Sequence, residues 1–327
     1  KKLLARADVF LDSASPGKLA ELGLDYSSLS SNQGLIHASL TDFGQDGPWC
    51  DYVMNDAAHL ALGGQMASSG YSDPKAPPIG GQGHHAWHMG CAFVLHGITV
   101  ALFDRMSSGT GQYIDVSIHD ACAMGTEAAV PQWMYYGSTM HRQTGMHANP
   151  RRQPPLQLPT ADGNYMIAVM QNFGPRVWEN LIKWMDEKDV TGELHDPKYQ
   201  DEAYRMLEYR TGNVLRDAIA RLIAASDGEE CFHRAQSHGI SWGLVQAAEE
   251  NYGVTHYQQR DYWRSIEHPA IDRSIPYPRG PFTCDALGIE PRRRAPDLGE
   301  NTGAILANDL GMSAEVISAL RAAGAVR

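Results

Sequence analysis

Residues 101–121, ALFDRMSSGTGQYIDVSIHDA, join the end of a long apolar helix to a short strand. The helix is predicted over residues 89–106, where apolar side chains occupy nearly every face, a pattern typical of a buried helix. Residues 108–111 combine serine, threonine and glycine and end it. Residues 113–118 then alternate apolar and polar side chains as a strand does. Strands are also predicted over residues 9–11 and 35–40. This order of strands and helix along the chain predicts a layered α/β domain.

The character of the chain changes near residue 140. Residues 141–159 are polar, basic and rich in proline, which predicts a long connection of the kind that often carries function. Strand and helix patterns follow it. We therefore predict a large domain over residues 1–150, a small α+β domain over 151–250, and a return of residues 251–327 to the large domain.

Length and composition narrow the functional class. The 327 residues exceed what one hydrophobic core usually holds, so two domains are expected. The net charge of −11 gives no electrostatic attraction for a polyanion and argues against nucleic acid as a partner.

The cysteines and the longest apolar run predict the compartment. The 5 cysteines are scattered and form no CxxC pair, so neither a disulfide framework nor a thiolate metal site is expected. Residues 91–103 are interrupted by His96 and are too short to span a bilayer. The first residues lack the features of a signal peptide. Together these features predict a cytoplasmic protein without a membrane partner.

Residues 80–90, GGQGHHAWHMG, combine glycines with His84, His85 and His88 before the long helix. His84 and His88 have the spacing of a zinc pair, but there is no HExxH glutamate and no evident third ligand, so no metal is predicted. A histidine here can also act as acid or base, or simply satisfy backbone groups at a helix start. The glycines would allow a ligand to approach the backbone, although no Walker or dinucleotide motif is present.

Several stretches stand in the order found in one known family. They are residues 5–26 (ARADVFLDSASPGKLAELGLDY), 35–51 (LIHASLTDFGQDGPWCD), 101–121, 160–169 (TADGNYMIAV), 238–250 (HGISWGLVQAAEE) and 292–320. In this order they resemble the family III CoA-transferases, also called the CaiB/BaiF family, which include formyl-CoA transferase, carnitine CoA-transferase and α-methylacyl-CoA racemases. The resemblance covers nearly the whole chain, and the family's first strand and helix would precede residue 1.

The resemblance implies a Rossmann-like large domain, a smaller α+β domain and an interlocked dimer. It implies acyl-CoA and carboxylic acid substrates, with the coenzyme A thioester as a substrate and no separate cofactor. In the family's transferases an aspartate carboxylate attacks the donor thioester. A mixed anhydride forms, then a glutamyl- or aspartyl-CoA thioester, and CoA passes to the acceptor acid. In its racemases a histidine and an aspartate move the proton next to the thioester carbonyl.

The resemblance also assigns site positions. The catalytic aspartate of the family corresponds to Ala86 or Trp87, and its racemase histidine corresponds to Asn55. Asp56 keeps an acidic residue that supports the site, and His84 and His85 are the remaining catalytic candidates. The implied CoA-binding residues are Ser13, Ala14, Pro16, Leu22, Gly23, Asn55, Gly81 and Gly83. In the family an arginine precedes the proline that corresponds to Pro16, and Ser15 stands in its place here.

Three functions remain open from the sequence. The first is a CoA-transferase, acting either as a homodimer or in a hetero-oligomer beside a related chain that carries the nucleophile. The second is an acyl-CoA racemase, isomerase or lyase in which His84 or His85 is the base and the helix N-terminus stabilises the enolate oxygen. The third is a CoA-binding subunit without catalytic activity.

Overall fold

The computed structural model describes residues 1–29, 31–81, 83–126, 128–171, 173–284, 286, 288 and 290–327. They form two compact units, Lys1–Leu156 and Gln157–Arg327. The assignment of residues 251–327 to the large domain stays a prediction.

The first unit is built on a parallel sheet of three strands in the order β1-β2-β3. Its strands are β1 (Val9–Asp12), β2 (Ile36–Thr41) and β3 (Tyr113–Ser117). Short helices and one long helix connect and follow them: α1 (Lys18–Glu21), α2 (Asp56–Leu62), α3 (His85–Ser108), α4 (Ile118–Met124) and α5 (Ala129–Tyr136). Three-residue and four-residue 3-10 helices lie at Leu4–Arg6, Tyr26–Leu29 and Met66–Ser68. The predicted α/β class is confirmed.

The long helix α3 packs on β2, β3, α2 and α4 along one face. Ala86, Gly90, Val94 and Ala101 are buried there, and Ala38 and Leu40 of β2 belong to the same core. A methyl group at Gly90 would lie 3.0 Å from Ile118 Cγ1, so this glycine sets the close approach of α3 and α4.

The burial expected of α3 is found along this face, and its other faces are exposed in this chain. Leu95, Val100 and Phe103 have 63%, 68% and 77% of their surface exposed. Among the described residues, α3 is the one helix whose length and apolar composition would suffice to cross a membrane.

The predicted connection over residues 141–159 contains a hairpin and the first strand of the next unit. Strands β4 (His141–Gln143) and β5 (Met146–Asn149) pair antiparallel around Gly145, whose φ is 71°. The prediction failed because these strands have only three and four residues, which is too short for their period to distinguish a strand from a connection.

The second unit places helices against a small antiparallel sheet. The sheet contains β6 (Gln157–Pro159), β7 (Tyr165–Ile167) and β8 (Gly243–Val245), and the helices are α6 (Pro175–Glu187), α7 (Glu202–Thr211), α8 (Val214–Ala224) and α9 (Gly228–Ser237). Trp184, Leu215, Leu222 and Trp242 are buried in the shared core. Short 3-10 helices lie at Gly192–His195 and Pro197–Gln200.

The C-terminal part of the second unit adds a hairpin and short helices. They are a 3-10 helix at Ala248–Gly253, α10 (Thr255–Gln259), β9 (Trp263–His268), a 3-10 helix at Pro269–Ile271, β10 (Arg273–Pro278), α11 (Thr302–Ala304), a π-helical turn at Ile305–Asp309 and α12 (Ala314–Ala322). Strands β9 and β10 pair antiparallel over their full length.

Candidate active site

A cavity of about 300 Å³ lies at the carboxyl ends of β1 and β2. Ser13, Ser15 and Pro16 form one wall, residues 40–42 form a second, and residues 50–54 together with Trp87 complete it. Ligands of open parallel sheets bind at this edge because the loops that follow the strands converge there. The cavity is therefore the candidate site of the first unit.

The wall that follows β1 is held by Asp12. Its Oδ1 accepts a hydrogen bond from the Ala14 amide at 2.9 Å, and its Oδ2 lies 2.8 Å from His37 Nε2 and 2.7 Å from Ser39 Oγ. His37 and Ser39 are buried on β2, and Tyr113 Oη donates to Ser39 Oγ at 3.2 Å. A buried, hydrogen-bonded carboxylate fixes the turn rather than leaving it mobile.

The second wall carries Asp42, the residue after β2. Asp42 Oδ1 lies 3.1 Å from Nε2 of the buried His59, and Oδ2 accepts a hydrogen bond from the Met54 amide at 3.0 Å. The His119 ring lies 6.0 Å from the His59 ring. Burial, and then the charge of His59, lower the pKa of His119. Asp42 is thus a partly buried carboxylate that faces the cavity with both oxygens bonded.

The sheet edge around the cavity is acidic. Asp115 of β3 accepts a hydrogen bond from the Gln45 amide at 2.8 Å. Burial, and then the nearby carboxylates of Asp46, Asp120 and Asp12, raise the pKa of Asp115. An anionic ligand therefore meets negative charge at this edge, unless other groups compensate it.

The start of α3 is capped by Asp56. Its Oδ1 accepts a hydrogen bond from the Ala86 amide at 2.8 Å. His84, the residue before the helix, has φ of 60° and makes no side-chain cap bond, so the carboxylate from α2 supplies the missing acceptor. A negative group at a helix N-terminus is also favoured by the helix dipole. Asp56 therefore holds the start of α3 in this geometry.

The two positions to which the resemblance assigns the family aspartate, Ala86 and Trp87, differ in their surroundings. Ala86 is buried with 0% of its surface exposed, and it faces the core of the first unit. Trp87 is 37% exposed and lines the cavity. Trp87 is thus the position from which a side chain reaches the cavity, and it carries an indole.

The structure brings some of the predicted site residues together and leaves others apart. Ser13 and Pro16 line the cavity, and Ala14 lies between them on the same turn. Asn55 caps α2 by accepting a hydrogen bond from the Ala58 amide at 2.9 Å. Leu22 is exposed after α1 and Gly23 follows it, and neither lines the cavity.

The histidine motif lies beside the cavity rather than in it. His84, His85, Gly81 and Gly83 are exposed, and none of them belongs to the cavity wall; Gln82 lies outside the described residues. Because α3 begins at His85, His84 precedes the helix, so His84 and His88 do not share a helical face. In the described part of the chain, no group of three or more histidine, cysteine, aspartate or glutamate side chains is placed to hold a metal ion.

The model of one family, CoA-transferase family III, matches residues 1–302. The chain belongs to CoA-transferase family III. It is 28% identical over 329 residues to the succinyl-CoA:(R)-benzylsuccinate CoA-transferase subunit BbsE of Thauera aromatica, covering 100% of this chain and 78% of the relative. It is 26% identical over 324 residues to the succinyl-CoA–L-malate CoA-transferase beta subunit of Chloroflexus aurantiacus, covering 98% and 77%.

Solved structures agree with this assignment at the level of the fold. The crystal structure of a CaiB/BaiF family protein from Brucella suis superposes with a TM-score of 0.74 at 22% identity, covering 94% of this chain and 77% of that chain. The family relatives are named as CoA-transferases that act on acyl-CoA thioesters, and this family III chain is accordingly a transferase of that class.

Several cavity residues of this family III chain were not predicted from the sequence, residues 50–54 among them. Asp42 and Tyr52 line the cavity, and neither was predicted as a site residue. A signal for Asp42 was present, because the residue that follows a parallel strand lies at the ligand-binding edge of the sheet. Tyr52 had no such signal, since its position depends on the path of the loop between β2 and α2.

Proposed function

We propose that this chain binds the acyl-CoA thioester in a CoA-transferase whose attacking carboxylate belongs to a related partner chain. The observation that carries the proposal is the indole of Trp87 in the cavity wall. The family resemblance assigns a nucleophilic carboxylate to Ala86 or Trp87. Neither a methyl group nor an indole can attack a thioester carbonyl.

The proposed substrates are an acyl-CoA and a free carboxylic acid, with the CoA thioester as substrate and no separate cofactor. In the partner, the carboxylate would add to the thioester carbonyl and CoA thiolate would leave, giving a mixed anhydride. The thiolate would then attack the carboxylate-derived carbonyl, which releases the donor acid and leaves a CoA thioester on the partner. The acceptor carboxylate would attack that thioester and expel CoA thiolate, giving a second anhydride. The thiolate would finally attack the acceptor carbonyl of this anhydride, which forms the acceptor's CoA thioester and frees the partner's carboxylate. We expect this to take place in the cytoplasm.

Two named relatives support an assembly of unlike chains. One is a subunit of a benzylsuccinate CoA-transferase and the other is the beta subunit of a malate CoA-transferase. The exposed apolar face of α3 supports it too, because large exposed apolar patches usually mark an interface. We propose a hetero-oligomer with a related chain, in preference to a homodimer.

The arrangement supports proton abstraction by a histidine less well. His84 and His85 are exposed and do not line the cavity, and the Ala86 amide at the start of α3 is bonded to Asp56. That amide is therefore not free to stabilise an enolate oxygen. Solvent deuterium entering the acyl α-carbon, and lost in His85→Ala, would instead support a racemase or isomerase.

The decisive experiment restores the carboxylate. The purified chain is incubated with succinyl-CoA and hydroxylamine, which converts an activated carboxylate to a hydroxamate, and peptides are analysed by mass spectrometry. We expect no hydroxamate on the wild-type chain and a hydroxamate at residue 87 in Trp87→Asp. Trp87→Asn is the matched control, with nearly the same shape and no carboxylate.

A hydroxamate on Asp42, Asp51 or Asp56 of the wild-type chain would contradict the proposal, because the chain would then carry its own nucleophile. Purification of the native complex gives an independent test. We expect a second family III chain with aspartate at the position that aligns with Trp87, and turnover only when both chains are present.

A further inference from the structure

Aromatic side chains form a continuous cluster that extends outward from the cavity wall. Tyr52 and Trp87 line the cavity. The Trp49 ring stacks on Tyr52, with centroids 6.3 Å apart and planes inclined by 18°. Phe43 contacts both rings edge-on, at 5.5 Å from Trp49 and 6.1 Å from Tyr52. We call Phe43, Trp49 and Tyr52 the aromatic wall.

The aromatic wall is exposed and yet held in place. Trp49 and Tyr52 have 42% and 58% of their surface exposed, while Phe43 is half-buried and also contacts the His59 and His119 rings. Edge-on contacts of this kind fix the orientation of a ring. A fixed, solvent-facing aromatic surface beside a cavity is suited to receive a flat ligand group without rearrangement.

The charges of the cavity restrict that group. Asp42 and Asp51 line it, and no lysine or arginine does so among the described residues. Ser15 stands where the family resemblance has an arginine. A free carboxylate or phosphate placed directly beside Asp42 or Asp51 would meet like charge without a compensating cation from this chain's cavity wall. The group that occupies the aromatic wall is therefore uncharged.

We propose that the aromatic wall binds a planar, uncharged aromatic ring of the CoA-thioester ligand by stacking on Tyr52 and Trp49. This inference rests on the proposed function, since it takes the ligand to be a CoA thioester. Two parts of such a ligand have this chemistry. One is the adenine base of CoA, and the other is an aryl group on the acyl chain.

Binding measurements on the purified chain separate these sources. Titration calorimetry compares phenylacetyl-CoA, cyclohexylacetyl-CoA, acetyl-CoA and phenylacetyl-pantetheine, which lacks the adenine. Tyr52→Leu and Trp49→Leu remove the stacking surface and keep an apolar side chain. Tyr71→Leu is the matched control, because Tyr71 is 51% exposed in the same unit and does not line the cavity.

If the wall takes an aryl group, phenylacetyl-CoA binds roughly 3- to 10-fold more tightly than its saturated counterpart, and the Tyr52→Leu and Trp49→Leu variants remove that preference. If the wall takes adenine, the ratio of the affinity for phenylacetyl-CoA to that for phenylacetyl-pantetheine falls by a similar factor in Tyr52→Leu and Trp49→Leu. Tyr71→Leu changes neither ratio.

CoA binding that is unchanged in Tyr52→Leu and Trp49→Leu overturns the stacking inference and leaves the proposed function intact. Failure of every CoA compound to bind the wild-type chain overturns both. Thermal unfolding of each variant establishes that a changed affinity ratio reflects altered binding and not loss of the fold.

Discussion

Asp56 is the residue on which the start of α3 depends. The carboxylate accepts the Ala86 amide, while His84 before the helix offers no side-chain acceptor. A capping acceptor of this kind stabilises a protein by about 1 kcal/mol. We expect Asp56→Ala to lower the free energy of unfolding by that amount in urea denaturation, and Asp56→Asn, which keeps an acceptor oxygen, to lose less than half of it.

Asp56 also has a catalytic test. If it is a supporting group, Asp56→Asn keeps measurable CoA binding and, in the complex with a competent partner, measurable turnover. Complete loss of turnover with unchanged stability in Asp56→Asn would contradict the supporting role and make the carboxylate itself part of the chemistry.

Asp162 gives the second unit a defined acid dependence. Hydrogen bonds from the Thr160 hydroxyl, then the Gly228 amide and Asn164, lower the pKa of Asp162 from 3.8 to about 2. Because the folded carboxylate binds a proton less readily than the unfolded one, its stabilising effect is complete above the unfolded value near 3.8. That effect is lost as the pH falls towards about 2.

We therefore expect Asp162→Asn to lower the urea midpoint at pH 6 and to approach the wild-type midpoint progressively between pH 4 and pH 2. The exposed Glu179 of α6 supplies a control in the same unit, since Glu179→Gln should change the midpoint little at any of these values. A difference between Asp162→Asn and the wild type that stays constant down to pH 2 would contradict this origin of the stability.

The residues of the site could be predicted in part. The turn of Ser13 and Pro16 and the position of Trp87 followed from ordered motifs, and all three residues line the cavity. The sequence suggested His84 and His85 as site residues, but they do not line the cavity. Closeness to a helix start in the sequence does not determine which side of the helix faces a cavity. Asp42 and Tyr52 depend on where a loop returns across the sheet, which is a tertiary property.

At the scale of elements, the end of α3 and the start of β3 are fixed by a close backbone approach. The Gly111 amide donates to the Gln33 carbonyl at 2.7 Å, and a methyl group at Gly111 would lie 1.8 Å from the Leu35 carbonyl oxygen. Because backbone cannot move aside as a flexible side chain can, the entry to β2 and β3 would have to shift.

We expect Gly111→Ala to lower the free energy of unfolding by about 3 kcal/mol, as overpacking at a rigid site does. The matched control is Gly253→Ala, where an added methyl group meets no atom within 4 Å. Chemical denaturation of both variants checks the difference, and equal stability of the two would rule out the proposed contact.

Elements with a clear period were predicted well, and those without one were not. Strands β1 to β3 follow apolar patterns and lie where the sequence indicated. The hairpin of β9 and β10 was missed because Pro276 and Pro278 interrupt β10, and proline argues against a strand unless it lies at a sheet edge. In this two-stranded sheet both strands are edges.

At the scale of the whole molecule, α3 contributes both to the cavity and to the exposed apolar surface of the chain. Its first turn carries Trp87 into the cavity, while its later turns expose Val100 and Phe103. One helix thus bears both the position that the resemblance assigns to the nucleophile and the apolar surface proposed for a partner. The sequence alone predicted a buried helix, because an apolar pattern does not distinguish burial within one chain from burial against another.

The assembly prediction follows from that exposed face. Charged side chains buried in an apolar interface without partners cost several kcal/mol, so Val100→Glu with Phe103→Glu should dissociate the native complex into single chains. Light scattering after size exclusion measures the mass. Leu207→Glu is the control, because Leu207 is 59% exposed on α7 of the second unit. Retained assembly in the double variant, with dissociation in the control, would place the interface on the second unit.

The same double variant also tests where the nucleophile lies. If the partner supplies the nucleophile, the dissociated chain should still bind CoA but should show no turnover, because the attacking carboxylate is then on the separated partner.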